Sequence, residues 1–211
     1  MEAKPIGIRV LILSVLAILL VETVLWLVTG GKSMVALGFG RMVEGALILS
    51  IVSIFGEGWA SIGLEHSKLS SGFKRGLIWS AGFGVLAALT LTVLIFLGVQ
   101  ALAFFKVKLP KGTPDIALFF AVGGLIGPVA EEIFFRGILY GFLRRWGVAV
   151  AVIVSTCLFV LPHMRTEAIP LTQAAGGILF AAAYEVEGSL VVPITIHVLG
   201  NLALFTLSWI I

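Results

Sequence analysis

Residues 6–28 read IGIRVLILSVLAILLVETVLWLV, an apolar run whose only charged residues are Arg9 and Glu22. A helix needs about 20 such residues to cross the hydrocarbon core of a bilayer. With no water in lipid to bond its peptide groups, the run has to be helical. It is too long and too rich in Leu and Val for a cleavable signal, and no small-residue cleavage site stands out, so it reads as a retained first span. Outward from it, apolar runs separated by Gly, Pro and charge clusters repeat the pattern. They place a second span at 35–56, a polar loop at 56–76, and a third span at 77–105, broken after Lys106 by Lys108, Pro110 and Lys111. A fourth runs from Asp115 to Arg144 and Arg145, a fifth covers 147–161 and stops at Pro162, a sixth covers 170–184 and the last 191–211. The expected fold is all-α: a polytopic membrane helix bundle of about seven spans, with six to eight as the limits, in one domain over 1–211.

Composition supports the same class. The chain is 60% hydrophobic and 12% charged, with a mean hydropathy of +1.17, whereas soluble domains carry roughly a quarter charged residues. The net charge of +3 is scattered, which fits loop charge facing anionic headgroups better than a nucleic-acid surface. No nucleic-acid partner is expected. The single cysteine, Cys157, has no internal disulfide partner and is expected to be a packing residue. Lys/Arg asymmetry should set orientation. With the N-terminus inside, Lys4, Arg9, Lys68, Lys74, Arg75, Arg144 and Arg145 stand against Lys32, Arg41, Lys106, Lys108, Lys111 and Arg165 outside. That near balance leaves the orientation open.

Ionisable groups at membrane depth are costly, so each is a functional candidate. The densest group is EEIFFR at 131–136. Residues four apart share a helix face, so Glu132 and Arg136 suit an ion pair within the helix. Glu131 lies about 100° round from Glu132 and projects elsewhere as the less constrained carboxylate. An interfacial charge cluster is the alternative reading. His163 follows Pro162 at the end of the fifth span, where a histidine taken alone is more often an interfacial residue than a catalyst. His197 and Asn201, four apart within the last span, share a face and could be interhelical glue. Together, however, a carboxylate, two imidazoles and a carboxamide in one apolar bundle supply a general base, its partner and oxyanion donors.

The stretches EEIFFRG (131–137), FVLPH (159–163) and HVLGN (197–201) resemble, in order and spacing, the three motifs of the CAAX protease and bacteriocin-processing (CPBP) family, which includes the Ras-converting type of CAAX endopeptidase. The stretch GSLVVP (188–193) looks like its family counterpart. The resemblance covers about 115–211, and 1–114 match only as generic accessory spans. It implies an intramembrane glutamic peptidase in which Glu131 activates water with His163, His197 and Asn201 hold the developing oxyanion, and Glu132 and Arg136 support the first motif. It implies a membrane-associated protein or peptide as substrate, either a CAAX-like end or a C-terminal sorting tail, in a multi-pass protein of a prokaryotic cell membrane. One departure is the acidic segment Tyr184-Glu-Val-Glu187, where relatives often carry a basic residue; a preference for a different substrate end is one explanation.

No cofactor is expected. A zinc version would use Glu131, His163 and His197 with an open position for water, but the sequence has no His-Glu-x-x-His helix. Two further readings remain: a non-catalytic peptide-binding or bacteriocin-immunity protein using the same cavity, and a proton-coupled transporter with Glu22, Glu44 and Glu131 as relay groups. The transporter lacks the internal symmetry often seen between halves. Glu22 and Glu44 are expected to pair with Arg41 or to line a cavity. The spacings Gly123…Gly127 and Gly137…Gly141 would let helices approach closely, within the bundle rather than between copies. Trp26, Trp59, Trp79, Trp146 and Trp209 fall near span ends as interfacial anchors, and His66 reads as solvated.

Overall fold

A computed structural model describes residues 6–31, 33–100, 102, 105–164 and 170–210. Lys4, Lys32 and Arg165 of the orientation tally, and Ile211 at the end of the last span, lie outside the described residues. Among those described, seven helices form the chain and no strand occurs: α1 (Ile8–Thr29), α2 (Met34–Phe55), α3 (Leu69–Phe96), α4 (Thr113–Trp146), α5 (Val148–His163), α6 (Leu171–Glu187) and α7 (Val191–Ile210). α1, α2, α4 and α7, together with the stretch ending in α3, are long and apolar enough to cross a membrane, while α5 and α6 are shorter. Much apolar surface points outward, with Phe96 at 90% and Val28 at 77% exposure. A soluble monomer does not present such a surface to water; here it faces lipid. The protein is a multi-pass membrane protein.

Two boundaries differ from the sequence reading. The third span begins at Leu69 instead of 77 and ends at Phe96 instead of 105. Lys74 and Arg75 interrupt the apolar run without interrupting the helix, because Arg75 points outward and pairs with Glu187. At the far end Gly98 takes a left-handed φ of 77°, which a glycine adopts without steric cost and which commonly closes a helix. The fifth span ends as read, its α-helix closing at Val160 just ahead of Pro162. The chain tightens into a 3₁₀ turn over Leu161–His163, whose first positions tolerate a residue without an N–H. Cys157 also departs from expectation: it is exposed on the outer face of α5 instead of packed inside.

α4 is the central element and its backbone is irregular. Widened π turns occur over Val122–Ile126 and Ile133–Tyr140, flanking the Glu131 and Glu132 positions. Pro128 cannot donate to the carbonyl four residues before it and crowds that carbonyl; the widened turn just ahead of it relieves the clash. Such π segments gather at functional sites.

Glycines let the other helices close on α4. A Cβ at Gly124 would lie 2.7 Å from Leu202 Cδ2 on α7, and one at Gly141 2.8 Å from Ile6. Gly123 faces Phe205, and Gly137 faces Ile62. The small-residue spacings therefore serve packing within the bundle, as expected. The larger buried cluster, with Ile48, Val52, Ile138, Tyr140, Tyr184 and Leu190, fills the end where the 56–68 loop meets the turns after α4 and α6. A smaller one, with Phe159, Phe180, Ala183, Val192 and Ile196, surrounds the polar residues of the bundle interior.

Candidate active site

The site is assembled around one buried carboxylate. Glu132 and Arg136, both fully buried, form the predicted pair across one turn of α4, with Nη1 of Arg136 2.8 Å from Oε1 of Glu132. The same Oε1 lies 2.8 Å from Nδ1 of His197 on α7. Arg136 also donates from Nη2 to the Gly177 carbonyl of α6 at 3.1 Å. Gly177 has no Cβ, and one added there would lie 2.7 Å from Thr156 Cγ2, so only glycine lets α6 come this near α5. The guanidinium sits 4.7 Å from the ring of Phe159 and 5.1 Å from that of Phe180. A desolvated cation over aromatic faces gains about 2 kcal/mol or more. Charge, hydrogen bonds and ring faces together compensate for burying the arginine.

Phe180 stacks on the imidazole of His197 at 4.5 Å with 22° between the planes. Its ring is thus clamped on one face by an aromatic and at Nδ1 by a carboxylate. A nitrogen beside a carboxylate carries the proton, so Nδ1–H donates to Glu132 and fixes the orientation of the ring. Nε2 then points toward Glu131, whose Oε2 lies 3.8 Å away. Glu131 projects to a different side of α4 from Glu132, as its spacing predicts, and its side chain is 25% exposed where that of Glu132 is wholly enclosed. One turn beyond His197, Asn201 donates from Nδ2 to the Gly123 carbonyl at 2.9 Å. The close approach of α7 to α4 at Gly124 permits that bond.

His163 stands apart from this group. Its Nδ1 lies 2.9 Å from the Phe159 carbonyl, which anchors the turn carrying Pro162. Its ring packs 5.1 Å from that of Phe159, and Phe159 also touches the ring of His197 at 5.7 Å. Phe159 thus stands against both imidazoles. The imidazole that faces Glu131 at close range is that of His197. Among the described residues no three His, Cys, Asp or Glu side chains are grouped so as to hold a metal ion.

Several contributors were not legible beforehand. Phe180 and Gly177 carry no motif signal, and Phe159 lay inside a quoted motif without an assigned task. Arg41 on α2 pairs with Glu44 at 2.6 Å and with Glu22 of α1 at 2.7 Å, so of the two expectations for those glutamates the pairing is the one found. The acidic segment of α6 is also accounted for. Glu185 accepts from Arg144 at 2.7 and 2.9 Å and from Tyr140 at 2.9 Å, and Glu187 accepts from Arg75 and, at 2.9 Å, from Trp79. Trp79 therefore has a partner within the bundle.

Fold and site define a polytopic membrane bundle with a glutamate–histidine–asparagine centre enclosed by α4, α5, α6 and α7. Residues 113–203 match the family described as type II CAAX prenyl endopeptidase Rce1-like, in the segment that carries the three motifs. The chain is 34% identical over 93 residues to the membrane-embedded CAAX protease MroQ of Staphylococcus aureus (strain USA300), covering 41% of this chain and 37% of the relative. It is 31% identical over 87 residues to the putative membrane peptidase YdiL of Bacillus subtilis (strain 168), covering 41% and 35%. An uncharacterized 24.3 kDa protein of Escherichia coli is 29% identical over 134 residues, covering 58% and 59%. The matches span less than two thirds of each relative, and the first two of these are bacterial membrane proteins. No solved structure matches it.

Proposed function

We propose that the protein is an intramembrane endopeptidase that hydrolyses a peptide bond of a membrane-associated protein or peptide with water activated by Glu131. The observation that carries this reading is the division of labour between adjacent carboxylates. Glu132 is spent on Arg136 and on the Nδ1 of His197, while Glu131 meets the Nε2 edge of the same ring at 3.8 Å and keeps a partly open side chain. Glu131 takes a proton from water as the water oxygen bonds to the scissile carbonyl carbon. The resulting oxyanion accepts from the Asn201 amide, whose second N–H is not used by Gly123, and from Nε2–H of His197. Donating at both nitrogens, His197 acts in this step as the imidazolium. His163, whose ring packs against Phe159, holds the water with Glu131. The C–N bond then breaks, and the proton on Glu131 passes to the leaving nitrogen. No cofactor enters this scheme. The substrate class follows the family match and the placement of the site within the bundle: a CAAX-like end or a C-terminal sorting tail.

The test is a comparison of protein termini in the native host. A deletion strain is complemented with wild type, with Glu131→Gln or with empty vector. A membrane protein left unprocessed with empty vector and with Glu131→Gln, but processed with wild type, supports the reading and names the substrate. Full restoration by Glu131→Gln would replace it with a peptide-binding or immunity role.

A further inference from the structure

A cavity of about 660 Å³ lies between the 56–68 loop, the start of α3 and the turn from α6 to α7. None of Glu131, His163, His197 or Asn201 lines it. α2 ends at Phe55, α3 begins at Leu69, α6 ends at Glu187 and α7 begins at Val191, so four helix ends meet around it, at the depth of the lipid headgroups. Its size falls within the range of about 300–1,000 Å³ usual for small-molecule sites. The lining is bipolar. On one side Lys68 and Arg75 stand at the start of α3, where the positive end of the helix dipole lies. On the other, the last carbonyls of α6 form the negative end of that helix beside Glu187, and Glu57 and Glu65 of the loop add to the negative side. Lys68 pairs with Glu65 at 2.9 Å and Arg75 with Glu187, and both cations keep more than half of their side chains exposed. Solvent weakens such pairs, so a ligand can share them. Behind them Ser189 is 4% exposed, and its Oγ has no hydrogen-bond partner among the described residues. It faces Gly72, where a Cβ would lie 2.6 Å from that oxygen, and both residues line the cavity. An unspent hydroxyl therefore stands at the inner wall, and burying it without a partner is unfavourable.

We infer that this cavity binds the headgroup of a zwitterionic phospholipid with a primary ammonium, a phosphatidylethanolamine. The phosphate sits at Lys68 and Arg75 with the Ser189 hydroxyl behind it, and the ammonium sits among Glu57, Glu65 and the carbonyl end of α6. The charge balance selects this headgroup. Three carboxylates stand against two cations among the residues lining the cavity, so an anionic headgroup would add charge of the sign already in excess. A trimethylammonium has no N–H to give those carboxylates, whereas a primary ammonium gives three. The surroundings select a lipid over a free solute. Val186 on the rim is exposed and apolar, as are Leu69 and Phe73 on α3 beside the lining residues, and acyl chains have that surface to lie on. The site is independent of the catalytic reading, because the residues that form it are not those around Glu131.

The experiment measures thermal unfolding of the full-length, delipidated protein in detergent after addition of one lipid at a time. Phosphatidylethanolamine, phosphatidylcholine and phosphatidylglycerol with the same acyl chains are compared with soluble glycerophosphoethanolamine. A ligand that binds only the folded state raises the unfolding temperature. Phosphatidylethanolamine in large excess should raise it by about 5 °C more than either of the other lipids. Arg75→Gln, a change in an exposed pair that leaves the fold intact, should remove most of that rise. Glu65→Gln removes an ammonium partner and frees Lys68, so it should cancel the lead of phosphatidylethanolamine over phosphatidylcholine and bring phosphatidylglycerol level with it. A structural role of these side chains would shift the baseline temperature without reordering the lipids. Equal responses of the wild type to the three lipids, or a phosphatidylethanolamine response as large in either variant as in wild type, would overturn the inference. An equal rise from glycerophosphoethanolamine would overturn the lipid as occupant in favour of a free zwitterion. The measurement needs no cleavage, so its outcome is separate from that of the processing experiment.

Discussion

Nδ1 of His197 and Oε1 of Glu132 lie 2.8 Å apart, both buried, across 65 residues of chain. This bond ties the first motif to the third and decides which edge of the imidazole faces Glu131. The carboxylate also receives Arg136, so its removal strands a cation in the bundle interior. Glu132→Ala should lower stability by about 3–5 kcal/mol, the usual cost of breaking a buried pair by removing one partner. Glu132→Gln, which keeps an acceptor oxygen, should lie between it and wild type. Thermal unfolding in detergent would measure both. A Glu132→Ala protein as stable as wild type would mean that the Arg136 charge is compensated elsewhere.

Asn201 tests the oxyanion assignment, because its two N–H groups have separate tasks. One donates to Gly123, and the other is available to substrate. Asn201→Ala should cost about 1 kcal/mol in stability for the lost hydrogen bond. Processing of the substrate found by the terminus comparison should slow by about 10²–10³-fold, as for other oxyanion donors. Asn201→Asp retains the size of the side chain but brings negative charge to the oxyanion, so its turnover should be at least as poor. Turnover in Asn201→Asp near wild type would remove Asn201 from the proposed mechanism.

What was legible in advance follows from what each contact requires. The Glu132–Arg136 pair is local, four residues apart on one helix, and spacing alone predicts it. The seven helices were legible because lipid enforces long apolar runs, and among the described residues five stretches are long and apolar enough to cross a membrane. The start of α3 was not, because Lys74 and Arg75 read as loop charge until Glu187, 112 residues away from Arg75, is seen to receive one of them. The pairing of Arg41 was open for a related reason: its partners on α1 and α2 were nameable, but whether it meets one or both depends on how those helices pack. His163 shows the opposite limit. Its motif is plain in the sequence, yet local order does not tell that Phe159 stands against both imidazoles.

The acidic end of α6 offers a test that separates specificity from structure. Glu185 and Glu187 are each engaged by a cation and by an aromatic O–H or N–H. Arg75 is exposed, so its pair with Glu187 is worth about 0–1 kcal/mol. Glu185 is held in a bidentate grip by Arg144 and by Tyr140, so Glu185→Gln should lower the unfolding temperature more than Glu187→Gln. Neither change should alter which termini the host produces. New or missing cleavage products in Glu187→Gln would reinstate the segment as a reader of the substrate end.

Two glycines on α3 make a paired prediction about how packing sets the site. A Cβ at Gly76 would lie 2.5 Å from Thr195 Cβ on α7, whereas one at Gly82 meets nothing within 4 Å. Thr195 lies two residues before His197, so pushing α7 away from α3 at Gly76 moves the imidazole relative to Glu131. Gly76→Val should therefore destabilise the bundle by about 1–3 kcal/mol, the range for overpacking, and should also slow processing. Gly82→Ala should be neutral or raise stability by about 0.5–1 kcal/mol, because alanine loses less conformational freedom than glycine in a helix. Unfolding temperatures of the two variants in the same detergent, read beside their processing rates, provide the check. Equal behaviour of Gly76→Val and wild type in both measurements would mean that α3 does not hold α7 in register with the site.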